Sequence, residues 1–237
     1  MTFSLKIASY NIRKCIGTDR RRRPMRVLEV IKDLSADIVI LQEADRRLGA
    51  RPSAIPMGRI TAQTGLRALS VAANDVSLGW HGNAVLMADA VTMQDVQLLD
   101  LPGLEPRGAA ILDLHLHGQD FRLVATHLGL MRRYRHQQLR HILDALATLP
   151  PCPTLIAGDF NEWSDHKGFE ILDQDFDILS PGRSYHASRP IAALDKIAYS
   201  NDWQVLEGGV VQHGLARIAS DHLPIWAQLA VTATLAD

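Results

Sequence analysis

A mixed α/β domain is predicted for this chain, on three observations. The short run Ile38 to Leu41 is apolar throughout, as a strand buried on both faces is, and Thr154 to Ala157 reads as another buried strand. Two longer segments carry helical spacing: Val27, Val30, Ile31 and Leu34 share one face, and Leu139, Ile142, Leu143 and Leu146 share another. Strands fall in both halves of the 237 residues, with no long linker, low-complexity segment or repeat, so one domain spanning 1–237 is expected.

The elements follow in order. Leu5 to Tyr10 reads as a strand ending at Asn11, and the Arg20 to Arg23 run as a loop closed by Pro24. Met25 to Leu34 is the first helix, and Ile38 to Leu41 a buried strand that ends in Gln42-Glu43. Strand-like pieces then cover Ala84 to Met87, Val91 to Leu99, Ala109 to Leu116 and Phe121 to Ala125, punctuated by Gly, Pro, Asp and Asn. A second helix is predicted over Arg132 to Leu149, stopped by Pro150-Pro151. Thr154 to Ala157 leads into Gly158-Asp159-Phe160-Asn161, and Leu194 to Tyr199 and Leu223 to Val231 are the last strands.

Composition narrows the class. Hydrophobic residues are 47% and charged residues 22%, which excludes disorder and fibrous repeats for the whole. Lys plus Arg is 25 against 26 acidic residues, a formal charge of −1, so a globally basic nucleic-acid binder is not indicated. Two cysteines, Cys15 and Cys152, cannot make a disulfide framework and are expected as free thiols. The first residues lack a signal-peptide core, and no apolar run approaches the ~18 residues of a membrane helix. A cytoplasmic monomer is expected.

The informative pattern is positional. Asn11, Glu43, His127, Asp159 with Asn161, and Asp221 with His222 each sit where an apolar strand ends or begins. Strand ends in a layered α/β structure converge on one rim. Singly these residues read as turns, caps or solvated charges. Together, two His, several carboxylates and two amides point to a hydrolytic metal site.

Five segments in order, Ser9-Tyr10-Asn11-Ile12-Arg13, Leu41-Gln42-Glu43, Thr126-His127-Leu128, Gly158-Asp159-Phe160-Asn161 and Ser220-Asp221-His222-Leu223-Pro224, resemble the endonuclease/exonuclease/phosphatase superfamily. A sixth, Leu194-Asp195-Lys196-Ile197, matches its essential Asp before an apolar strand, although Lys196 stands where many relatives have Arg or Tyr. The resemblance implies a four-layered α/β sandwich, two mixed β-sheets face to face with helices outside both. It also implies divalent-metal-dependent phosphoester hydrolysis. Glu43, Asn11 and Asp221 would then hold Mg²⁺, with Mn²⁺ an acceptable substitute for hard oxygen ligands. Asp159 would be the general base, Asn161 would aim its amide at the same phosphate oxygen, and His222 would stabilise transition-state charge. Asp195 would orient His222, and His127 would stabilise an oxygen or protonate the leaving group, its acidic partner unidentified.

Basic residues are candidates for substrate phosphates. Arg132, Arg133, Arg135 and Arg140 lie near the start of the helix after His127, and Arg132 and Arg135 are taken as substrate-binding. The Arg20 to Arg23 run could hold a phosphate backbone or stay a solvated loop. Asn83 reads equally as facing the site or as a hairpin turn, and Arg183-Ser184-Tyr185-His186 as bordering the pocket, where Tyr185 could stack on a base. The substrate is expected to be nucleic acid, phospholipid or a small phosphoester. Ala54-Ile55-Pro56-Met57 is a candidate membrane loop or a loop with two buried apolar residues. A catalytically silent phosphate-binding protein on the same scaffold is the remaining class.

Overall fold

The structure, a computed structural model, describes residues 3–164, 167–172 and 174–232. Among these described residues there are twelve strands and four α-helices. The strands are β1 (Leu5–Asn11), β2 (Ile38–Gln42), β3 (Arg67–Ala68), β4 (Ala84–Met87), β5 (Thr92–Leu101), β6 (Arg107–Leu116), β7 (Gln119–His127), β8 (Thr154–Asp159), β9 (Phe176–Leu179), β10 (Asp195–Ser200), β11 (Trp203–Val210) and β12 (Ile225–Val231). The helices are α1 (Pro24–Asp33), α2 (Ile60–Thr64), α3 (Arg132–Leu146) and α4 (Ala216–Ala219).

Two six-stranded mixed sheets form, ordered β11-β12-β1-β2-β4-β3 and β5-β6-β7-β8-β10-β9. Their inner faces pack directly: Leu5, Ile7, Ile38 and Ile40 of the first sheet share a core with Leu112, Phe121, Leu123, Leu155 and Ile197 of the second. Alternate residues face outward to the helices. Ala8, Tyr10, Val39 and Leu41 pack with Val27, Leu28 and Ile31 of α1, while Val124, Ile156 and Ala198 pack with Leu139 and Ile142 of α3. The result is a four-layered α/β sandwich.

Pro24 opens α1 at its first turn, where a missing N–H costs nothing, rather than closing the preceding loop from outside. The second helix ends at Leu146, a turn short of the expected Leu149; Leu149 survives as a partly buried contact against the α3 core. Both cysteines are free, Cys15 buried and Cys152 half-buried. Among the described residues no helix is long and apolar enough to cross a membrane. The Ala54–Met57 loop resolves to its bland alternative: Ala54 and Ile55 are buried in the core beneath α1, while Pro56 and Met57 are exposed.

Candidate active site

The site grows out of the strand period. In β1, Leu5 and Ile7 point between the sheets, so Asn11 continues the same face beyond Ser9. The same parity carries His127 after Phe121, Leu123 and Ala125, Asp159 after Leu155 and Ala157, and Asp195 ahead of Ile197. These polar residues are therefore the rim end of the inter-sheet core, where apolar packing stops. Register then sets neighbours: Asp159 pairs with His127 on one side and Asp195 on the other. Glu43 lies one residue past β2, and its left-handed φ of 53° re-aims it toward the cleft.

Asp159 is the hub. It accepts hydrogen bonds from Asn11 Nδ2 at 3.0 Å and from the Asn161 backbone N–H at 2.9 Å. Its Oδ2 lies 3.4 Å from His127 Nε2 and 3.7 Å from His222 Nε2. Asp159 is thus the carboxylate beside His127 that the sequence left unidentified. The Asn161 side chain donates to the Leu128 carbonyl at 2.9 Å, which pins the tight turn after β8.

His222 Nδ1 lies 2.8 Å from Asp195 Oδ2, an oxygen that also accepts from Ser184 Oγ at 2.5 Å. The loop bearing Ser184 clamps the His222 segment through Leu223 N–H to the Ser184 carbonyl, 2.8 Å, and Ala187 N–H to the Asp221 carbonyl, 2.7 Å. The Tyr185 ring stands 5.0 Å from that of His222. Burial penalises charge on Asp159 and pushes its pKa up to about 6, despite the opposing pull of His222. Burial alone would lower His222, but Asp195 and Asp159 outweigh it and push the imidazole up to about 9. His127 goes the other way: burial first, then the positive charge of Arg107 and His222, drive it well below the usual histidine range.

On the opposite side of the cleft, Lys14 forms an ion pair with Glu43. Burial, helped by Arg47, lowers the Lys14 pKa to about 8. Arg13 Nε lies 3.2 Å from Asp221 Oδ2, and its backbone N–H donates to Asn11 Oδ1 at 3.0 Å. The cleft has a volume of about 710 Å³, and its walls include Asn11, Glu43, His127, Asp159 and His222. Its basic wall is Lys14, Arg47, Arg51 and Arg107. Ligand atoms of Asp159, Asp195 and His222 lie within 4.8 Å of one another, so this buried cluster could also bind a metal.

Three expected site residues lie elsewhere. Arg135 is buried, with Nη2 2.5 Å from Glu162 Oε2 and Nη1 donating to the Leu130 carbonyl at 2.6 Å. Its charge is spent inside the protein, so it is not a substrate ligand. Arg132 points to Glu170 at 3.3 Å on the surface and does not line the cleft. Asn83 is the hairpin residue: its backbone exchanges two 2.9 Å bonds with Trp80, and its Nδ2 reaches the Gly108 carbonyl at 2.9 Å, tying the two sheets. Conversely, Lys14 and Arg107 went unremarked in the sequence, while Ser184 stood out only as part of the segment before Asp195. Lys14 stands three residues after Asn11, which was the available signal.

A four-layered sandwich with a buried Asp–His–Asp group at the rim between its sheets defines a class of phosphoester-processing fold. The endonuclease/exonuclease/phosphatase family model matches residues 8–222, and the chain belongs to that family, whose members are phosphoester hydrolases. Uncharacterized protein YbhP of Escherichia coli K12 is 28% identical over 245 aligned residues, covering 96% of each chain. A family member from Bacteroides vulgatus superposes with a TM-score of 0.76 at 19% identity, covering 97% of this chain and 100% of that one. TDP2 of D. rerio, solved with a single-strand DNA product, superposes with a TM-score of 0.72 at 15% identity, covering 95% and 98%.

Proposed function

We propose that the protein is a divalent-metal-dependent phosphodiesterase, acting through an Asp159-activated water and the His222–Asp195 pair. The observation that carries this reading is the central position of Asp159, buried between two histidines and held by Asn11 and Asn161. A carboxylate with a pKa near 6 is ionised at neutral pH yet more basic than an ordinary Asp, which suits proton removal from water. His222 is an imidazolium up to about pH 9, so its Nε2–H can donate to a non-bridging phosphate oxygen as charge builds there. Asp195 and Ser184 hold its ring in place. His127, kept neutral by burial, donates a hydrogen bond to phosphate rather than a proton to the leaving group. Asn161 lines the cleft and, tied to the Leu128 carbonyl, fixes the turn that presents Asp159, and Arg107 and Arg47 attract the anionic substrate to the cleft.

The donor set fits a hard cation. Glu43 already attracts the Lys14 ammonium, and the oxygen of Asn11 lies on the same cleft wall. Glu43 and Asn11, with Asp221, would hold Mg²⁺ or Mn²⁺, which would neutralise phosphate charge when bound. This favours the Glu43 side over the Asp159–Asp195–His222 cluster, because a protonated His222 has no lone pair to give.

The test is hydrolysis of bis-(p-nitrophenyl) phosphate with Mg²⁺ or Mn²⁺, using Asp159→Ala and Glu43→Ala with matching melting curves. Each variant is expected to lose about a hundred-fold or more in rate. Full activity in either folded variant overturns its assigned role. DNA, RNA and phospholipids in the same assay identify the natural diester.

A further inference from the structure

Among the described residues, six large apolar side chains are more than half exposed, and five of them lie on the cleft wall or on loops that contribute to it: Leu48 at 85%, Leu104 at 75%, Leu130 at 65%, Trp163 at 61% and Ile191 at 53%. Leu130 and Trp163 line the cleft. Leu48 follows the lining residue Arg47, and Leu104 precedes the lining residue Glu105. Ile191 is bonded through its N–H to the carbonyl of Tyr185, another lining residue, at 2.7 Å. They come from five separate loops. The Leu48 loop is closed at its base by the Asp45–Ser53 bridge and by Arg46 N–H to the Pro52 carbonyl, 2.9 Å, so its tip projects on a built stem.

Arginines accompany these tips. Exposed Arg46 and Arg47 precede Leu48, Arg132 and Arg133 follow Leu130, and Arg189 lies two residues before Ile191. Acidic neighbours are paired within the protein, Glu105 with Arg107 at 2.6 Å and Glu170 with Arg132 at 3.3 Å, so the unpaired charge is that of the other arginines. Apolar tips backed by arginines are the chemistry of a protein that rests on an anionic bilayer: the tips enter the headgroup boundary and the guanidinium groups meet lipid phosphates. Tryptophan suits that boundary, with an apolar ring and one polar N–H.

We infer that the cleft mouth is a membrane-docking surface for anionic phospholipid bilayers, and that the phosphodiesterase acts there on a lipid headgroup diester. The substrate half of this inference rests on the function proposed above. A single-stranded nucleic acid fits less well, because its bases stack on aromatic faces and four of the five tips are aliphatic. A folded protein partner would favour one contiguous apolar patch rather than five tips on separate loops.

The test is vesicle sedimentation without turnover. Phosphatidylcholine vesicles are compared with vesicles containing about one-quarter phosphatidylglycerol, a typical anionic surface. The wild-type protein is expected to bind the anionic vesicles at least ten-fold more tightly, less so at high salt, with a blue shift of Trp163 fluorescence. The variant Leu48→Asn/Leu104→Asn/Ile191→Asn changes exposed side chains outside the cleft wall. It is expected to bind vesicles at least ten-fold more weakly and to hydrolyse bis-(p-nitrophenyl) phosphate as the wild type does. Wild-type protein that ignores both vesicles, or a triple variant that sediments like wild type, overturns the docking surface. Binding of oligo(dT) in place of vesicles overturns it in favour of nucleic acid. Vesicle binding without hydrolysis of the soluble diester leaves the docking surface standing and overturns the proposed chemistry instead.

Discussion

At the scale of single residues, the site is a set of opposed protonation demands. Burial raises Asp159 to about 6, while its own charge and that of Asp195 raise His222 to about 9. Activity is therefore expected to rise with pH through about 6, as Asp159 ionises, and to fall through about 9, as His222 loses its proton; a pH–rate profile checks both limbs. The same proton bears on stability. A histidine whose folded pKa is raised adds stability that is complete below its unfolded pKa, near 6.5, and is lost as pH rises through about 9. Melting of the metal-free protein should weaken over that window by at most roughly 3 kcal/mol, and His222→Gln should flatten the slope. The chemistry of these residues was legible because their types recur at strand ends. Arg135 was misread for a reason also present in the sequence. It lies four residues before Leu139 and so belongs to the buried stripe of its helix, where a guanidinium must find an internal partner and finds Glu162.

At the scale of elements, most strands were legible, and those with short apolar runs were placed most sharply. β2, β4 and β8 are buried along their length and begin where the sequence predicts. β11 was not legible: it is a sheet edge, carries Gly208 and Gly209, and shifts register between Val205 and Glu207, so no period survives. β3, β9, α2 and α4 are too short to carry a pattern. The Gly158 position shows how an element aims its terminal side chain. A Cβ there would collide with the Thr126 carbonyl oxygen of the neighbouring strand. Gly158→Ala should therefore force β7 and β8 apart beside His127 and Asp159. We expect a loss of diester hydrolysis well beyond any loss of helix content, read by comparing activity with far-ultraviolet circular dichroism at a temperature where the variant is folded.

At the scale of the molecule, the two sheets contribute different halves of the site. The first brings Asn11 and Glu43 on β1 and just past β2; the second brings His127, Asp159 and Asp195. His222 enters just before β12, and β12 pairs with β1 along Leu5 to Ser9. A fragment ending at Ser200 lacks β11 and β12 and leaves the β1 edge bare. It is expected to self-associate rather than remain monomeric, which size-exclusion chromatography with light scattering would register. The four-layer architecture was legible only through the family resemblance, since nothing local in the sequence says that two sheets stack.

The nesting of the sheets has a consequence in time. The second sheet is drawn from one continuous stretch, Thr92 to Ser200, while the first is begun by β1 to β4 and finished only by β11 and β12. During synthesis the inner half can close on itself while the outer half still waits for its last two strands. Asp159 and Asp195 are already adjacent by then, with like charges and no imidazolium between them. His222 arrives later and relieves that repulsion. In the mechanism proposed above, a growing chain therefore lacks the group that would stabilise charge on phosphate until His222 can pack beside Asp195.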